Sequence, residues 1–250
     1  MKDNKKVVAT IEARMTSSRL PGKVLLEIGG KPALEFMIDR VKQSRLVDDI
    51  VVATTVNSSD QPIIDLCNKM GCKYFRGSEE DVLLRVLEAA KSVDADIIVE
   101  LTGDCPFIDP DIIDKVIELY SSGDYDYASN VVERSFPDGF DTQVFSVQSL
   151  EKVSRLTDNP IDRVHVSCYF YNNPHKFKLA NLLADQDSTW PDLRLTIDEP
   201  ADYQLLKLIE EKLRDSNGMF SVNEVISLLK QEPELIELNK HVRAKELQDG

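Results

Sequence analysis

The sequence predicts an α/β fold built on a mainly parallel sheet. Apolar, β-branched runs of strand length alternate with longer segments of helical periodicity, and the alternation repeats four times within roughly the first 120 residues. That order is typical of parallel strands joined by right-handed helical crossovers. The 250 residues suit one large domain with a core of its own. In such sheets ligands bind beyond the carboxyl ends of the strands.

The first strand is predicted at 6–11, where the run KVVATI is apolar and β-branched. The helical spacing of Leu34, Met37 and Val41 predicts the first helix at 31–44. Further strands are predicted at 49–55, 73–75 and 95–104, and further helices at 60–71, 78–93 and 109–122.

The ends of these helices carry starting and stopping signals. Gly71 marks the end of the second helix. Ser78, with Asp81 three residues later, resembles a capping box in which aspartate replaces the usual glutamate. Asp109 and Asp111 are expected to cap the fourth helix.

After about residue 130 the alternation loosens. Strands are predicted at 139–146, 177–184 and 192–198, and helices at 158–171, 200–214 and 221–230. We interpret 1–130 as the nucleotide-binding half of one domain and 131–190 as an inserted α+β segment. Residues 191–250 then form a C-terminal strand, helices and a charged tail.

Composition excludes several classes of protein. A formal net charge of −14 argues against nucleic-acid binding, which needs a basic face. No apolar run approaches the roughly 18 to 20 residues that span a membrane, and the N-terminus lacks the apolar stretch of a signal peptide. The four cysteines have no CxxC spacing, so zinc and disulfides are not expected. We therefore expect a cytoplasmic protein with no membrane and no nucleic-acid partner.

The loop EARMTSSRLPGK at 12–23 concentrates positive charge in this acidic chain. Arg14, Arg19 and Lys23 lie within ten residues and have no acidic residue between them. Held close together they repel one another, so they need an anion among them or must splay into water. The position after the first strand, with Ser17 beside the cations, favours a polyphosphate site over a solvated basic loop.

Known phosphate fingerprints are absent from this loop. A P-loop needs Ser or Thr after its lysine and a glycine five residues before the Gly-Lys pair. Here Val24 follows Lys23, and Ser17 stands five residues before Gly22. No GxGxxG dinucleotide motif occurs either.

The motifs IEARMTSSRLPGKVL and GGKPALEFMIDRV resemble the opening signature of CTP-dependent cytidylyltransferases, which include CMP-KDO and CMP-sialic acid synthetases. The closest subgroup is named for spore-coat polysaccharide biosynthesis, and Thr16 stands where that subgroup has glycine. Later motifs follow in family order: FRGSEEDVLLR, LTGDCPFIDPDIID, YASN, FPDGFDTQVF and LRLTIDEPADYQLL. The resemblance implies a Rossmann-like nucleotidyltransferase (GT-A-like) fold.

The resemblance also implies an activity, partners and site residues. An acceptor oxygen would attack the α-phosphate of CTP and release pyrophosphate, with Mg²⁺ as cofactor and a homodimer formed through the inserted segment. Catalytic roles fall on Arg14, Lys23 and Asp104. Nucleotide-binding positions are Arg14, Ser17, Arg19, Lys23, Thr54, Arg76, Ser78 and Asp104. Metal positions are Asp104 and Asp198, and acceptor positions are Asn130, Gly139, Asp141, Gln143, Arg163 and His165.

Several of these residues have a structural alternative. Asp104 alone would suit a turn, and Ser78 a plain helix cap. Asp198 at the start of a helix would suit an N-cap as well as a Mg²⁺ site. His165 is equally a structural histidine or a contact to an anionic acceptor. Gln143 stands where the family commonly has an acidic residue.

Two other functions remain open on the sequence. A nucleotide-sugar-dependent glycosyltransferase shares the half-fold, but such enzymes usually hold metal through a DxD motif, and GDCP offers none. A nucleotide-binding scaffold protein is disfavoured by the carboxylates placed beside the cation loop. The function we predict is transfer of CMP from CTP to a sugar, sugar acid or related surface-polysaccharide precursor.

Overall fold

A computed structural model describes residues 5–214 and 219–243, and these form one central sheet with helices on both faces. The strands are β1 Val7–Glu12, β2 Glu27–Ile28, β3 Lys31–Pro32, β4 Asp49–Thr55, β5 Lys73–Gly77, β6 Ile97–Thr102, β7 Tyr127–Ser129, β8 Gln143–Ser146 and β9 Leu179–Asn181. The helices are α1 Ala33–Val41, α2 Gln61–Met70, α3 Val82–Lys91, α4 Pro110–Ser121, α5 Val147–Leu156, α6 Pro160–Val164, α7 Cys168–Asn172, α8 Pro200–Leu213 and α9 Val222–Gln231.

Seven strands pair in the order β5-β4-β1-β6-β8-β7-β9. The first four are mutually parallel, β8 runs antiparallel to both β6 and β7, and β9 is parallel to β7. The prediction of an α/β fold with a mainly parallel sheet is confirmed. Strands β2 and β3 form a separate two-stranded ribbon.

Alternate residues of β1 face two different cores. Val7, Ala9 and Ile11 join the larger core with α1 and α4, whereas Val8 packs on the opposite face. That second core is built largely from α3 and from aromatic residues of the later segment, including Phe170. The later segment, 131–190, supplies β8 and β9 to the same sheet.

The predicted strand at 192–198 is wrong. Its backbone pairs with a loop: Leu195 N donates to Asp138 O at 2.8 Å, and Ile197 N donates to Asp104 O at 2.8 Å. Only a single bridge, between Asp138 and Arg194, meets the pattern of a strand pair. The residues alternate as a strand would, but a loop lies beside them, so no ladder continues.

The predicted helix at 158–171 is two helices, α6 and α7. They separate where Val166 adopts a left-handed backbone with φ of 44°. The predicted strand at 139–146 is shorter and covers only β8. Helix α5 was not predicted; Ser146 caps it by accepting from Ser149 N at 2.9 Å.

The proposed capping box at Ser78 is also wrong. Helix α3 begins at Val82, and its N-cap is Asp81, whose side chain accepts from Leu84 N at 3.0 Å. The Ser78 hydroxyl instead accepts from the backbone of Asp81 at 3.0 Å, one turn earlier. Asp109 is confirmed as the N-cap of α4.

The last part of the predicted charged tail, 244–250, lies outside the described residues. Within 5–214 and 219–243, no helix combines the length and the apolar character needed to cross a bilayer.

Two glutamates lie side by side within the sheet. In the β1–β6 register Glu12 pairs with Thr102 and Thr10 with Glu100, so both carboxyl groups project from the same face. Glu100 is 3% exposed, and each of the two carboxyl groups has a buried oxygen that accepts no hydrogen bond from the described residues. Burial raises the pKa of Glu12 to about 7, and burial together with the charge of Glu12 raises the pKa of Glu100.

The pair should make stability depend on pH. Its folded-state pKa values are raised, so its contribution is full below the ordinary value of 4.5 and is lost as pH rises through about 7. We expect Glu100→Gln to raise the free energy of unfolding above that of wild type, and to do so more at about pH 8 than at about pH 5. The gain at the two pH values should differ by about 1–3 kcal/mol. Urea unfolding at both pH values measures this.

Glu35→Gln is the control, because Glu35 lies on α1 outside the sheet and its buried Oε2 is 3.6 Å from Lys69 Nζ rather than beside a second carboxyl group of the sheet. We expect no comparable pH-dependent gain from it. An equal effect of Glu100→Gln at the two pH values would contradict the raised pKa values of the pair.

Candidate active site

The charged residues of the chain's first loop meet the ends of other elements in one cleft. The loop after β1 lies beside Asp104, which follows β6, and Asp198, which precedes α8. The cleft has a volume of about 280 Å³ and opens at the carboxyl end of the sheet. Its charged lining comprises Glu12, Arg14, Arg19, Lys23, Arg85, Asp104 and Asp198.

Two contacts hold this edge of the sheet in shape. Asp60 accepts a hydrogen bond from Met15 N at 2.8 Å and another from Thr54 Oγ1 at 3.1 Å, which fastens the loop to β4. Gly103 N donates to Glu12 O at 2.8 Å. A Cβ at Gly103 would lie 2.6 Å from that same oxygen, so only glycine permits the ends of β1 and β6 to approach so closely.

Lys23 lies between the two aspartates. Its Nζ donates to Asp104 Oδ2 at 2.8 Å and to Asp198 Oδ1 at 2.6 Å. Burial would lower the pKa of Lys23, but the two carboxylates outweigh it and the pKa is raised. Burial would likewise raise the pKa of Asp104, yet the charge and hydrogen bond of Lys23 lower it to about 2. Lys23 and Asp104 are therefore both charged at neutral pH.

The two loop arginines also bind carboxylates. Arg19 lies 3.1 Å from Asp198 and 3.6 Å from Glu199, and Arg14 lies 3.1 Å from Glu79. The expectation that the cations either hold an external anion or splay into water was incomplete, because it overlooked acidic residues of the protein itself. An anionic ligand must exchange with these carboxylates.

Thr16, which stands where the related subgroup has glycine, takes part in this arrangement. Its hydroxyl donates to Glu79, which also accepts from Asn57. The hydrogen bond from Thr16 is the largest influence lowering the pKa of Glu79, and Arg14 contributes to the same shift. Glu79 is thus held as an anion facing Arg14.

Arg194 extends the charged network in a way the sequence analysis missed. It lies 3.1 Å from Asp138 and 3.4 Å from Asp202, and it also binds Asp198. The sequence feature that could have indicated Arg194 was its place in a segment of alternating polar and apolar residues.

Asp198 is not the N-cap of α8. The N-cap is Glu199, which forms a reciprocal capping box with Asp202. The structural alternative proposed for Asp198 is therefore wrong, and its carboxylate is directed at Lys23, Arg19 and Arg194.

The other predicted nucleotide-binding residues do not all line the cleft. Ser17 lines it. Thr54 donates to Asp60, and Arg76 donates to the carbonyl oxygens of Thr55 and Asn57, both at 3.0 Å. Neither Thr54, Arg76 nor Ser78 is among the described residues that line the cleft.

Three predicted acceptor residues shape the turn that precedes β8. Asn130 donates to Phe140 O at 2.9 Å and accepts from Thr142 N at 2.8 Å. Asp141 binds Arg134 through two hydrogen bonds of 2.8 and 2.7 Å. Gly139 has a φ of 109°, and a Cβ there would lie 2.6 Å from Leu195 O.

Arg163 is engaged within the protein. It pairs with Asp81, the N-cap of α3, and donates to Ser154 O at 2.9 Å. The guanidinium therefore ties α6 to the start of α3. The predicted contact between Arg163 and an anionic acceptor would require this ion pair to open.

Gln143 and His165 line a second cavity of about 150 Å³ beside the cleft. Glu12, Thr102 and His165 line both spaces, and Glu100 lines only the second. The Gln143 side-chain oxygen accepts from Tyr127 Oη and Ser167 Oγ, each at 2.6 Å. The sequence analysis missed both glutamates; the signal was a single acidic residue within the apolar run IIVELT.

Comparison with known proteins matches this arrangement to a family. The sequence profile of the cytidylyltransferases matches residues 8–236. The spore coat polysaccharide biosynthesis protein SpsF of Bacillus subtilis is 34% identical over 235 residues, which cover 91% of this chain and 95% of that protein.

Solved structures agree with this result. The structure of a cytidylyltransferase from Leptospira borgpetersenii has a TM-score of 0.88 and 35% identity, covering 97% of this chain and 100% of the other. A structure of CMP:2-keto-3-deoxy-manno-octonic acid synthetase complexed with CTP shares the fold at a TM-score of 0.64 and 20% identity, covering 83% and 99%. The predicted Rossmann-like nucleotidyltransferase fold is confirmed. The chain therefore belongs to the cytidylyltransferase family and is a nucleotidyltransferase that uses CTP.

Proposed function

We propose that the enzyme transfers CMP from CTP to a hydroxyl group of a sugar, sugar acid or related surface-polysaccharide precursor. The observation that carries this proposal is the convergence of Arg14, Arg19 and Lys23 with Asp104 and Asp198 in one cleft. The acceptor hydroxyl releases its proton to solvent as its oxygen bonds to the α-phosphorus, the bond from that phosphorus to the oxygen bridging to the β-phosphate breaks, and pyrophosphate leaves. The names of the SpsF relative and the CMP-KDO synthetase neighbour support this class of acceptor.

The loop cations bind the triphosphate in this proposal. The planar guanidinium groups of Arg14 and Arg19 suit paired phosphate oxygens, and Lys23 acts as a point charge. Each cation exchanges a protein carboxylate for a phosphate oxygen when CTP binds. The reaction is thereby favoured by charge that is already positioned before the transition state forms.

The pair Asp104 and Asp198 fits a divalent cation. Both carboxylates converge on one ammonium group, and the low pKa of Asp104 keeps it ionised. In the described ranges no cluster of three or more histidine, cysteine or acidic side chains is arranged for a metal, so phosphate oxygens and water would complete the coordination. Bound Mg²⁺ would neutralise charge on the triphosphate. Lys23 would then turn from the carboxylates toward the phosphates.

Nucleotide selectivity tests the proposal directly. The enzyme is incubated separately with CTP, ATP, GTP and UTP, with Mg²⁺, pyrophosphatase and a panel of acidic, neutral and amino sugars. Of the four nucleotides, we expect only CTP to give phosphate release, and only when a suitable acceptor is present. Activity with a UDP-sugar donor and no use of CTP would support the glycosyltransferase alternative, which the family match does not favour. The homodimer that the family resemblance implies is tested by light scattering, which measures the molar mass of the enzyme in solution.

Lys23→Met removes one charge while keeping most of the side-chain volume. The Lys23 side chain is only 14% exposed, so its charge is partly withdrawn from water. We expect the variant to lose about 1–3 kcal/mol of stability without metal, because Asp104 loses its ion-pair partner, whereas Asp198 keeps Arg19 and Arg194. Added Mg²⁺ should raise its melting temperature more than that of wild type. CTP turnover should fall about 100- to 1,000-fold.

Lys31→Met is the control, since Lys31 pairs with Asp39 on the surface away from the cleft. It should behave as wild type in melting temperature, in its response to Mg²⁺ and in CTP affinity, which isothermal titration measures. Full CTP affinity in Lys23→Met would refute the phosphate assignment.

The variants Asp198→Asn and Asp104→Asn distinguish a role in metal binding from a role in nucleotide binding. Either change removes a negative charge beside the proposed triphosphate, so metal-free CTP binding should hold or become tighter. Turnover should fall by at least about tenfold at low Mg²⁺ because asparagine is a weaker ligand for a hard cation. Titrating turnover against Mg²⁺ measures the effect. If Asp198→Asn follows the wild-type curve, Asp198 does not hold the metal.

A further inference from the structure

Two of the four cysteines are brought together where α2 ends. Gly71 ends the helix with a left-handed backbone, Gly71 N donates to Asn68 O at 3.3 Å, and Cys72 N donates to Cys67 O at 2.9 Å. These two bonds define a Schellman motif, in which the side chains at the positions of Cys67 and Cys72 contact each other. A hydrogen bond of this length holds the two Cα atoms no more than about 7 Å apart. Disulfides span about 4.4–6.8 Å between Cα atoms, so the motif places the pair within reach of one.

The two thiols differ in their access to solvent. Cys67 is fully buried in the larger core, whereas Cys72 is partly exposed and packs against the same core. Cys72 lines a third cavity of about 280 Å³, at the amino ends of β4 and β5, and Cys67 is not among the described residues that line it. The Cys72 Sγ lies 3.9 Å from Ile50 O and 3.5 Å from Lys73 O, at the start of those strands. A reagent that enters the cavity therefore meets Cys72 first and has Cys67 behind it.

The two thiols are close enough for each to shift the pKa of the other. The neighbouring Cys67 thiol and the charge of Lys42 lower the pKa of Cys72, while burial and the charge of Asp49 act in the opposite direction. Interaction with Cys72, together with burial, raises the pKa of Cys67. The thiolate is the reactive form of cysteine, so the accessible member of the pair is also the more reactive one.

The other two cysteines provide an internal comparison. Cys105 is 3% exposed and Cys168 is fully buried. Burial raises the pKa of both thiols, and the nearby carboxylates of Asp104 and Asp162 add to the respective shifts. Such thiols are inert toward oxidants.

We propose that Cys67 and Cys72 form a redox-active pair, in which a hydroperoxide oxidises Cys72 and Cys67 then closes an intramolecular disulfide. The Cys72 thiolate attacks one oxygen of hydrogen peroxide, the O–O bond breaks, and hydroxide leaves as the sulfur becomes a sulfenic acid. The Cys67 sulfur then bonds to the Cys72 sulfur, the S–O bond breaks, and the hydroxyl group leaves as water with the proton of Cys67. Each sulfur ends one electron more oxidised, and the peroxide is reduced to water and hydroxide.

This inference is independent of the proposed function. The pair lies at the amino ends of the parallel strands, whereas the cleft opens at their carboxyl ends. The oxidation uses no residue that lines the cleft. Failure of CTP transfer and failure of disulfide formation are therefore separate results.

Thiol counting on the whole enzyme tests the proposal. The enzyme is treated with a small molar excess of hydrogen peroxide, unfolded, and alkylated with N-ethylmaleimide before its intact mass is measured. We expect two of the four thiols to escape alkylation, and prior treatment with dithiothreitol to restore all four. Trypsin cleaves after Lys69, so the disulfide should appear as the peptide 46–69 linked to the peptide 70–73.

Single variants assign the two roles. Cys67→Ser should stop at a Cys72 sulfenic acid, which dimedone traps as one added mass. Cys72→Ser should react with peroxide at least about tenfold more slowly than wild type, because the accessible thiol is gone. Cys168→Ser is the matched control and should form the disulfide at the wild-type rate. If Cys67→Ser fails to fold because a hydroxyl enters the core, Cys67→Ala is measured in its place.

Four alkylated thiols in peroxide-treated wild type would overturn the proposal and leave the pair as core packing. A disulfide that includes Cys105 or Cys168 would also overturn it. So would equal trapping by dimedone in the Cys67 and Cys72 variants, because the two thiols would then have no distinct roles.

Discussion

The position of one ammonium group between two carboxylates organises the site. Lys23 comes from the loop after β1, Asp104 from the end of β6 and Asp198 from the start of α8, so one charge joins three distant parts of the chain. The pairing is buried enough to be strong, and it also keeps Asp104 ionised through a pKa of about 2. The same groups are those that CTP and a divalent cation would recruit. The charges that stabilise the ligand-free protein are therefore the same charges that would bind the ligand.

Under the proposed function, this arrangement would let a chain with a net charge of −14 bind a polyanion. Its cations are concentrated on one loop, and each is neutralised by a protein carboxylate before the nucleotide arrives. Binding is then an exchange of partners, which costs less than bringing bare cations together. The proposed exchange would also discriminate between ligands, because only a ligand with several suitably placed phosphate oxygens could displace Glu79, Asp104 and Asp198.

The sequence predicted the first four strand–helix units and the cation loop, because local periodicity and local charge determine them. It placed Asp104 and Asp198 in the site only through the family resemblance. It could not show that Lys23 lies between them, since those contacts span 81 and 175 residues. The segment at 192–198 failed as a strand for the same reason: alternation describes the chain itself, whereas pairing depends on the neighbour, and that neighbour is a loop around Asp138. The helix predicted at 158–171 is interrupted at Val166, whose backbone is left-handed. Valine rarely adopts that conformation, so no residue type in the sequence indicated the break.

Glu12 marks the boundary between two environments of opposite character. It ends β1 and lines both the cation-rich cleft and the second cavity. Along β6, Glu100 lies two residues, or about 7 Å, behind Thr102 at the mouth of the cleft. Under the proposed function, an acceptor that extends from the cleft toward the second cavity would therefore pass Glu12, which lines both spaces.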